Sequence, residues 1–219
     1  MPEALWRLFS ICGETAMVKA VVGAGGKTTL IKQLAKEYRQ QGKTVFVTTS
    51  THMFIEEDTL LTDDAGIIIR SLEETGYAMA GIPEGIKIKA LSRQTYEAVC
   101  RHADVVLVEA DGSKHMPLKV PGDREPVIYD NVQEIIVVCG LHGLGRPAKE
   151  VCHRLDRVLA LLGIAEDTLI TAEHIRRMVW DGYVVPLREK YPGIKISICP
   201  SHNGSAEQKK IANCIVKEK

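Results

Sequence analysis

Met17-Val-Lys-Ala-Val-Val22 runs directly into Gly23-Ala-Gly-Gly-Lys-Thr-Thr29, and the reading of this stretch decides the fold. A short, β-branched apolar run bounded by a glycine cluster has the composition of a buried strand entering a tight turn. Residues 27–41 contain neither proline nor glycine, and Leu30, Leu34 and Tyr38 recur at the four-residue spacing that puts side chains on one helical face. Gly42 stands where a left-handed C-terminal cap is expected. Residues 44–49 form a second β-branched run. Strand, helix and strand therefore make one βαβ unit, whose connection length implies that the two strands pair in parallel.

Outward from this unit, residues 67–69, 105–110, 135–139 and 194–199 are short apolar runs bounded by Gly, Pro or charge, and they read as further central strands. Helical patterns at 92–101, 150–162, 171–181 and 205–216 separate several of them. Ser205 and Gln208 have capping-box spacing, Thr171 followed by Glu173 marks a helix start, and Gly182 is expected to close that helix. Residues 55–89 are the least legible, with Ile86-Lys-Ile-Lys89 alternating like an edge strand or hairpin. Nearly all-apolar strands alternating with helices predict an α/β fold, a three-layer αβα arrangement around a mostly parallel sheet.

The chain of 219 residues contains no linker or repeat, so one domain over 1–219 is expected. Its 45% hydrophobic and 26% charged residues are ordinary for a globular protein, and 28 basic residues balance 28 acidic ones. That balance argues against nucleic acid or a membrane as partner. The apolar stretch 5–12 is short, is interrupted by Arg7 and lacks a leader pattern, so a cytoplasmic protein is expected. Cys12, Cys100, Cys139, Cys152, Cys199 and Cys214 are scattered without a Cys-x-x-Cys pair and read as reduced thiols. Cys139, His142, Cys152 and His153 match no zinc spacing.

The turn between strand and helix carries the chemistry. Gly23, Gly25 and Gly26 let backbone N–H groups curl around phosphate oxygens, and the helix that follows adds its positive N-terminal end. With Ala24 and Thr29 they make a P-loop NTPase-like cradle in which Lys27 reaches the β and γ phosphates and Thr28 offers its hydroxyl to magnesium. Val21 occupies the place of the first glycine in the longer form of this motif, so the loop is the shorter Gly-x-x-Gly-Lys-Thr variety. Val105-Val-Leu-Val-Glu109-Ala-Asp111-Gly112 ends in two carboxylates near the same sheet edge. Asp111, last before the glycine, is the expected magnesium ligand with Thr28, and Glu109 and Asp111 together are expected to manage metal and water beside Lys27.

Other polar residues gather at that edge. Thr48 to His52 lie at the end of the second strand, and Thr49, Thr51 and His52 read either as contacts for the γ-phosphate or a substrate, or as strand and polar turn. Ser113, Lys114, His115 and Lys119 read either as an anion-binding segment or as a solvated loop, in which Lys119 and Glu125 pair. His142 and Arg154 are further candidates for substrate contact, the latter because a guanidinium grips phosphate well.

Taken together, Val22-Gly-Ala-Gly-Gly-Lys-Thr-Thr-Leu30, Val47-Thr-Thr-Ser-Thr-His-Met53, Val108-Glu-Ala-Asp-Gly-Ser-Lys-His-Met-Pro-Leu-Lys119, Glu125-Pro-Val127, Gly140-Leu-His-Gly-Leu-Gly145 and His153-Arg154 resemble the YqeC family, the selenium-dependent molybdenum hydroxylase accessory (selenium cofactor biosynthesis) proteins. The resemblance implies a P-loop-like NTPase using ATP or GTP with Mg2+ in the maturation of such hydroxylases. It also favours substrate roles for Ser113, Lys114 and Lys119. The last strand leads into Pro200-Ser-His-Asn-Gly204 and not into a guanine-reading Asn-Lys-x-Asp, which leaves ATP and GTP both open. Two readings follow: an NTPase or phosphoryl transferase, and a nucleotide-gated chaperone that grips the immature hydroxylase or its cofactor without turnover.

Overall fold

A computed structural model describes residues 16–202 and 204–218. The expectation for the stretch 5–12 lies outside them. The chain alternates strand and helix: β1 Met17–Gly23, α1 Lys27–Gln40, β2 Val45–Thr49, β3 His52–Phe54, β4 Thr59–Leu61, α2 Ala65–Thr75, β5 Tyr77–Glu84, β6 Lys87–Lys89, α3 Arg93–Cys100 and β7 Val105–Glu109. There follow β8 Leu118–Lys119, β9 Glu134–Gly140, α4 Ala148–Val151, β10 Cys152–His153, α5 Leu155–Leu162, α6 Ala172–Val179, α7 Val185–Lys190, β11 Lys195–Ser201 and α8 Ala206–Val216.

The main sheet has the order β11-β9-β1-β7-β2-β5-β6-β3, with β4 also on β5. Every pairing from β11 through β5 is parallel, and the β5–β6–β3 end is antiparallel. Residues 86–89 thus contribute a hairpin arm. Strand alternation divides the core. Val18, Ala20, Val22, Val106, Val108, Ile135 and Val137 face one cluster with α2, α3, α5, α6 and α8, whereas Val21, Val105, Leu107 and Val138 face the other with Ile31 and Ala35 of α1. The result is a mixed α/β architecture with helices on both faces of a mostly parallel sheet.

Four local expectations need correction. First, β1 and β2 do not pair with each other. β7 lies between them, in register Val21↔Glu109 on one side and Thr49↔Glu109 on the other. This insertion delivers the end of β7 to the glycine turn. Second, residues 67–69 are helical. Asp64 caps α2 by accepting from the N–H groups of Gly66 (2.8 Å) and Ile67 (3.3 Å), and only Ile68 and Leu72, one turn apart, are buried.

Third, the pattern at 150–162 is split. Cys152–His153 pairs in parallel with Leu118–Lys119, and Arg154 turns left-handed with φ 59° before α5 begins. Fourth, Gly182 does not end α6, because the chain continues through a wider turn at Trp180–Val184 into α7. That turn drives Tyr183 into the core. The capping boxes at Thr171, closed by His174, and at Ser205, closed by Gln208, are both formed.

Candidate functional site

At the carboxyl ends of β1, β7 and β9, the described residues enclose a cavity of about 800 Å3. Its floor is the glycine turn. Gly23 and Gly25 take φ of 88° and 77°, and a side chain at either would run into backbone, Val138 for the first and Pro117 and Gly140 for the second. The turn can therefore lie flat on β9 only because these residues lack a Cβ.

Part of the expected cradle is already engaged. The Gly23 amide donates to Asp111 (3.3 Å) and the Ala24 amide to the Val138 carbonyl (2.9 Å). By contrast, among the described residues no protein acceptor meets the N–H groups of Gly25, Gly26, Lys27 or Thr28, and α1 has no side-chain cap. Unpaired amides at a helix start need water, a cap or an anion. Gly25 through Thr29 all line the cavity.

Lys27 is 4% exposed, and its ammonium donates to the Gly23 carbonyl (2.9 Å) and the Ser113 hydroxyl (3.0 Å). Glu109 Oε1 lies 3.8 Å from that ammonium, and Glu109 Oε2 accepts from Thr28 Oγ1 at 3.2 Å. Burial pushes the Lys27 ammonium down from its ordinary pKa, partly offset by Glu109 and Asp111, and pushes the Glu109 carboxyl up, partly offset by Lys27 and Thr28. A cation, a hydroxyl and a carboxylate thus meet beside the open amides.

Asp111 does not join them. It is wholly buried and outside the cavity wall, held by Lys119, the Tyr183 hydroxyl (2.6 Å) and the Gly23 amide. The strand ends at Glu109, so the alternation that puts residues two apart on one face of a strand does not extend to Asp111. Of the two carboxylates expected at this edge, Glu109 lines the cavity and Asp111 does not. Lys119 is fully buried too. It pairs with Asp111 and with Glu125 (2.7 Å), and Arg154 closes the chain of charges on Glu125 at 2.9 Å. Burial raises the Asp111 carboxyl against the pull of Lys119; at Glu125 hydrogen bonds from Arg154 and Lys119 outweigh burial and hold the carboxyl at about 2.

The other expected residues divide. Thr49 is buried and spends its hydroxyl on the Glu109 carbonyl at 2.8 Å, a strand-to-strand tie. Thr51, His52, Ser113, Lys114, His142 and Arg154 line the cavity. His52 is paired with Glu84 at 2.8 Å, whereas Thr51 Oγ1 is buried without a partner. Cys139 and Cys152 are core residues. Sequence reasoning gave no role to His202, whose ring packs at a tilt against His142 with centroids 4.1 Å apart and lies over Gly26, nor to Tyr183. His202 follows β11 at the same sheet edge as the glycine turn, and that position was the available signal. Tyr183 had none.

A family model described as YqeC protein matches residues 19–156. The chain belongs to the YqeC family. That match takes in the glycine turn, Glu109, Asp111, Lys119, Glu125, His142, His153 and Arg154. A protein of Escherichia coli (strain K12), called "Uncharacterized protein YqeC", is 33% identical over 174 residues, covering 74% of this chain and 67% of that one. Tyr183, Ser201 and His202 lie beyond the matched segment of this YqeC-family chain. Among the described residues no helix is long and apolar enough to cross a membrane.

Proposed function

We propose that this YqeC-family protein binds the polyphosphate of ATP or GTP with Mg2+ in the glycine turn and hydrolyses it or transfers its terminal phosphoryl group. The observation that carries this reading is the set of open amides from Gly25 to Thr28 around a buried Lys27, at the mouth of a parallel sheet. Such amides suit phosphate oxygens, and the helix end adds favourable charge. Lys27, already aimed between the Gly23 carbonyl and Ser113, adds a cation to the same place.

Thr28 and Glu109 are the residues suited to magnesium, since a hydroxyl and one carboxylate are the hard oxygen donors this ion takes from protein when phosphates and water supply the rest. Bound there, the ion would neutralise charge on the terminal phosphates. Glu109 also has a second oxygen, next to Lys27, with which to orient a water or hydroxyl nucleophile. Asp111 acts as a positioning residue through its bond to the Gly23 amide. The cellular role we infer from the family is service as an accessory factor in maturing selenium-dependent molybdenum hydroxylases.

The test is titration of the purified protein with ATP and with GTP, with and without Mg2+, beside Lys27→Ala. Loss of charge-assisted contacts to phosphate should weaken nucleotide binding about a hundredfold in that variant, near the upper end of such bonds. Unchanged affinity would contradict the site. Released phosphate in the presence of a small-molecule acceptor supports an enzyme; nucleotide-dependent capture of the hydroxylase without turnover would replace it with a gated chaperone.

A further inference from the structure

The cavity is larger than its phosphate floor requires. At about 800 Å3 it stands high in the range of ~300–1,000 Å3 that small-ligand pockets occupy. Its walls are also peculiar. Among the described residues, the non-glycine positions with left-handed backbone are Lys114 (φ 49°), His115 (φ 62°), Arg154 (φ 59°) and His202 (φ 58°), and every one lines this cavity. Such backbone is costly for a residue with a Cβ and persists where the surroundings enforce it. All four carry basic or imidazole side chains. Three separate loops, after β7, after β10 and after β11, are thus strained at points that place nitrogen-bearing side chains around one cavity.

Two of these loops meet. His153 lies opposite Lys119 in the pairing of β10 with β8 and lines the cavity with Lys114 and Arg154, and its Nδ1 is buried with no hydrogen-bond partner. Lys114 is exposed and makes no ion pair among the described residues. Arg154 commits its Nε and one terminal nitrogen to Glu125, so the remaining N–H groups of the fork are open. Ser113, the neighbour of Lys114, receives the Lys27 ammonium, which puts this cluster next to the end of the proposed nucleotide subsite. A free ammonium, an unspent guanidinium edge and an imidazole with an unpartnered nitrogen, supplied by two loops to one cavity, suit a tetrahedral dianion better than a planar carboxylate.

We propose that Lys114, His153 and Arg154 form a second anion subsite that binds a phosphate group, either free phosphate or a phosphate monoester, facing the terminal phosphate of the nucleotide. This deepens the nucleotide reading, on which the facing arrangement rests, but the subsite is testable without it.

Phosphorus NMR or calorimetry on the full chain decides the matter, with inorganic phosphate and glycerol phosphate as probes. Without nucleotide, wild type should take up two phosphate equivalents, one weakened by Lys27→Ala and the other by Lys114→Ala. With a saturating non-hydrolysable Mg2+ nucleotide, one equivalent should remain, weakened about tenfold by Lys114→Ala and by His153→Leu, a loss typical of one charge-assisted bond. His153→Leu should melt no lower than wild type, because it removes a polar atom that has no partner in the free protein. Tighter binding of the monoester assigns the site to an organic phosphate, and equal binding assigns it to the free ion. Phosphate binding that neither Lys114→Ala nor His153→Leu weakens, or no phosphate beyond the Lys27-dependent equivalent, overturns the subsite. Failure of nucleotide to bind while the Lys114-dependent equivalent persists overturns only the nucleotide reading.

Discussion

Glu109 and Asp111 stand two residues apart at the end of one strand, yet they belong to different regions of the molecule. Glu109 faces the cavity with Lys27 and Thr28, beside amides that have no protein partner. Asp111 faces inward, with Lys119, Tyr183 and the Gly23 amide occupying its oxygens. The first is a set of polar groups left incomplete; the second is a network in which each charge has its counterpart. Buried groups that lack partners are costly and need a reason, whereas a satisfied buried network fixes one arrangement of the chain around it. Here the network holds the turn so that the open amides keep their shape.

The sharpest way to break this division is Lys119→Met. Removing one partner from a buried charge chain leaves Asp111 uncompensated and should cost about 3–5 kcal/mol in denaturant unfolding. A loss of that size with Lys27→Ala instead would invert the assignment of the two regions. Tyr183→Phe removes a single bond to a charged group and should cost about 2 kcal/mol. Its nucleotide affinity should follow stability, falling only where the fold begins to melt.

The smallest effect is a pH dependence. The Glu125 carboxyl is held at about 2, below its ordinary 4.5, first against burial and then by Arg154 and Lys119. A depressed acid stabilises the fold fully above its unfolded value and loses that contribution as pH falls from 4.5 through about 2. Glu125 is only partly enclosed, so solvent screens it and the step should be modest. Thermal melts between those pH values should show the step in wild type and a flatter course in Arg154→Ala.

Much of this was readable in advance where the physics is local. The glycine turn, α1, the helix start at Thr171 and the capping box at Ser205 depend on residues within a few positions of each other. The pairing of Lys119 with Glu125 spans few residues and was also legible. What escaped depends on distant chain. The Asp111–Tyr183 bond spans 72 residues and rests on a wide helical turn that nothing around Gly182 announces. The interposition of β7 between β1 and β2 is a matter of topology, invisible to periodicity. Ile67-Ile-Ile69 looked like a strand because an apolar triplet says nothing of period, and the decisive signal was Asp64 as a cap. The break at Arg154 follows from β10 pairing with β8, again a contact between remote segments.

The most direct test of the central claim is the Mg2+ dependence of nucleotide affinity in Glu109→Gln against Asp111→Asn, each checked by a melt. The account predicts that Glu109→Gln melts normally and loses the tightening that Mg2+ gives, about tenfold for one charged ligand. It predicts that Asp111→Asn melts lower and keeps that tightening wherever it is folded. A folded Asp111→Asn without the Mg2+ effect, beside a Glu109→Gln that retains it, would contradict the account.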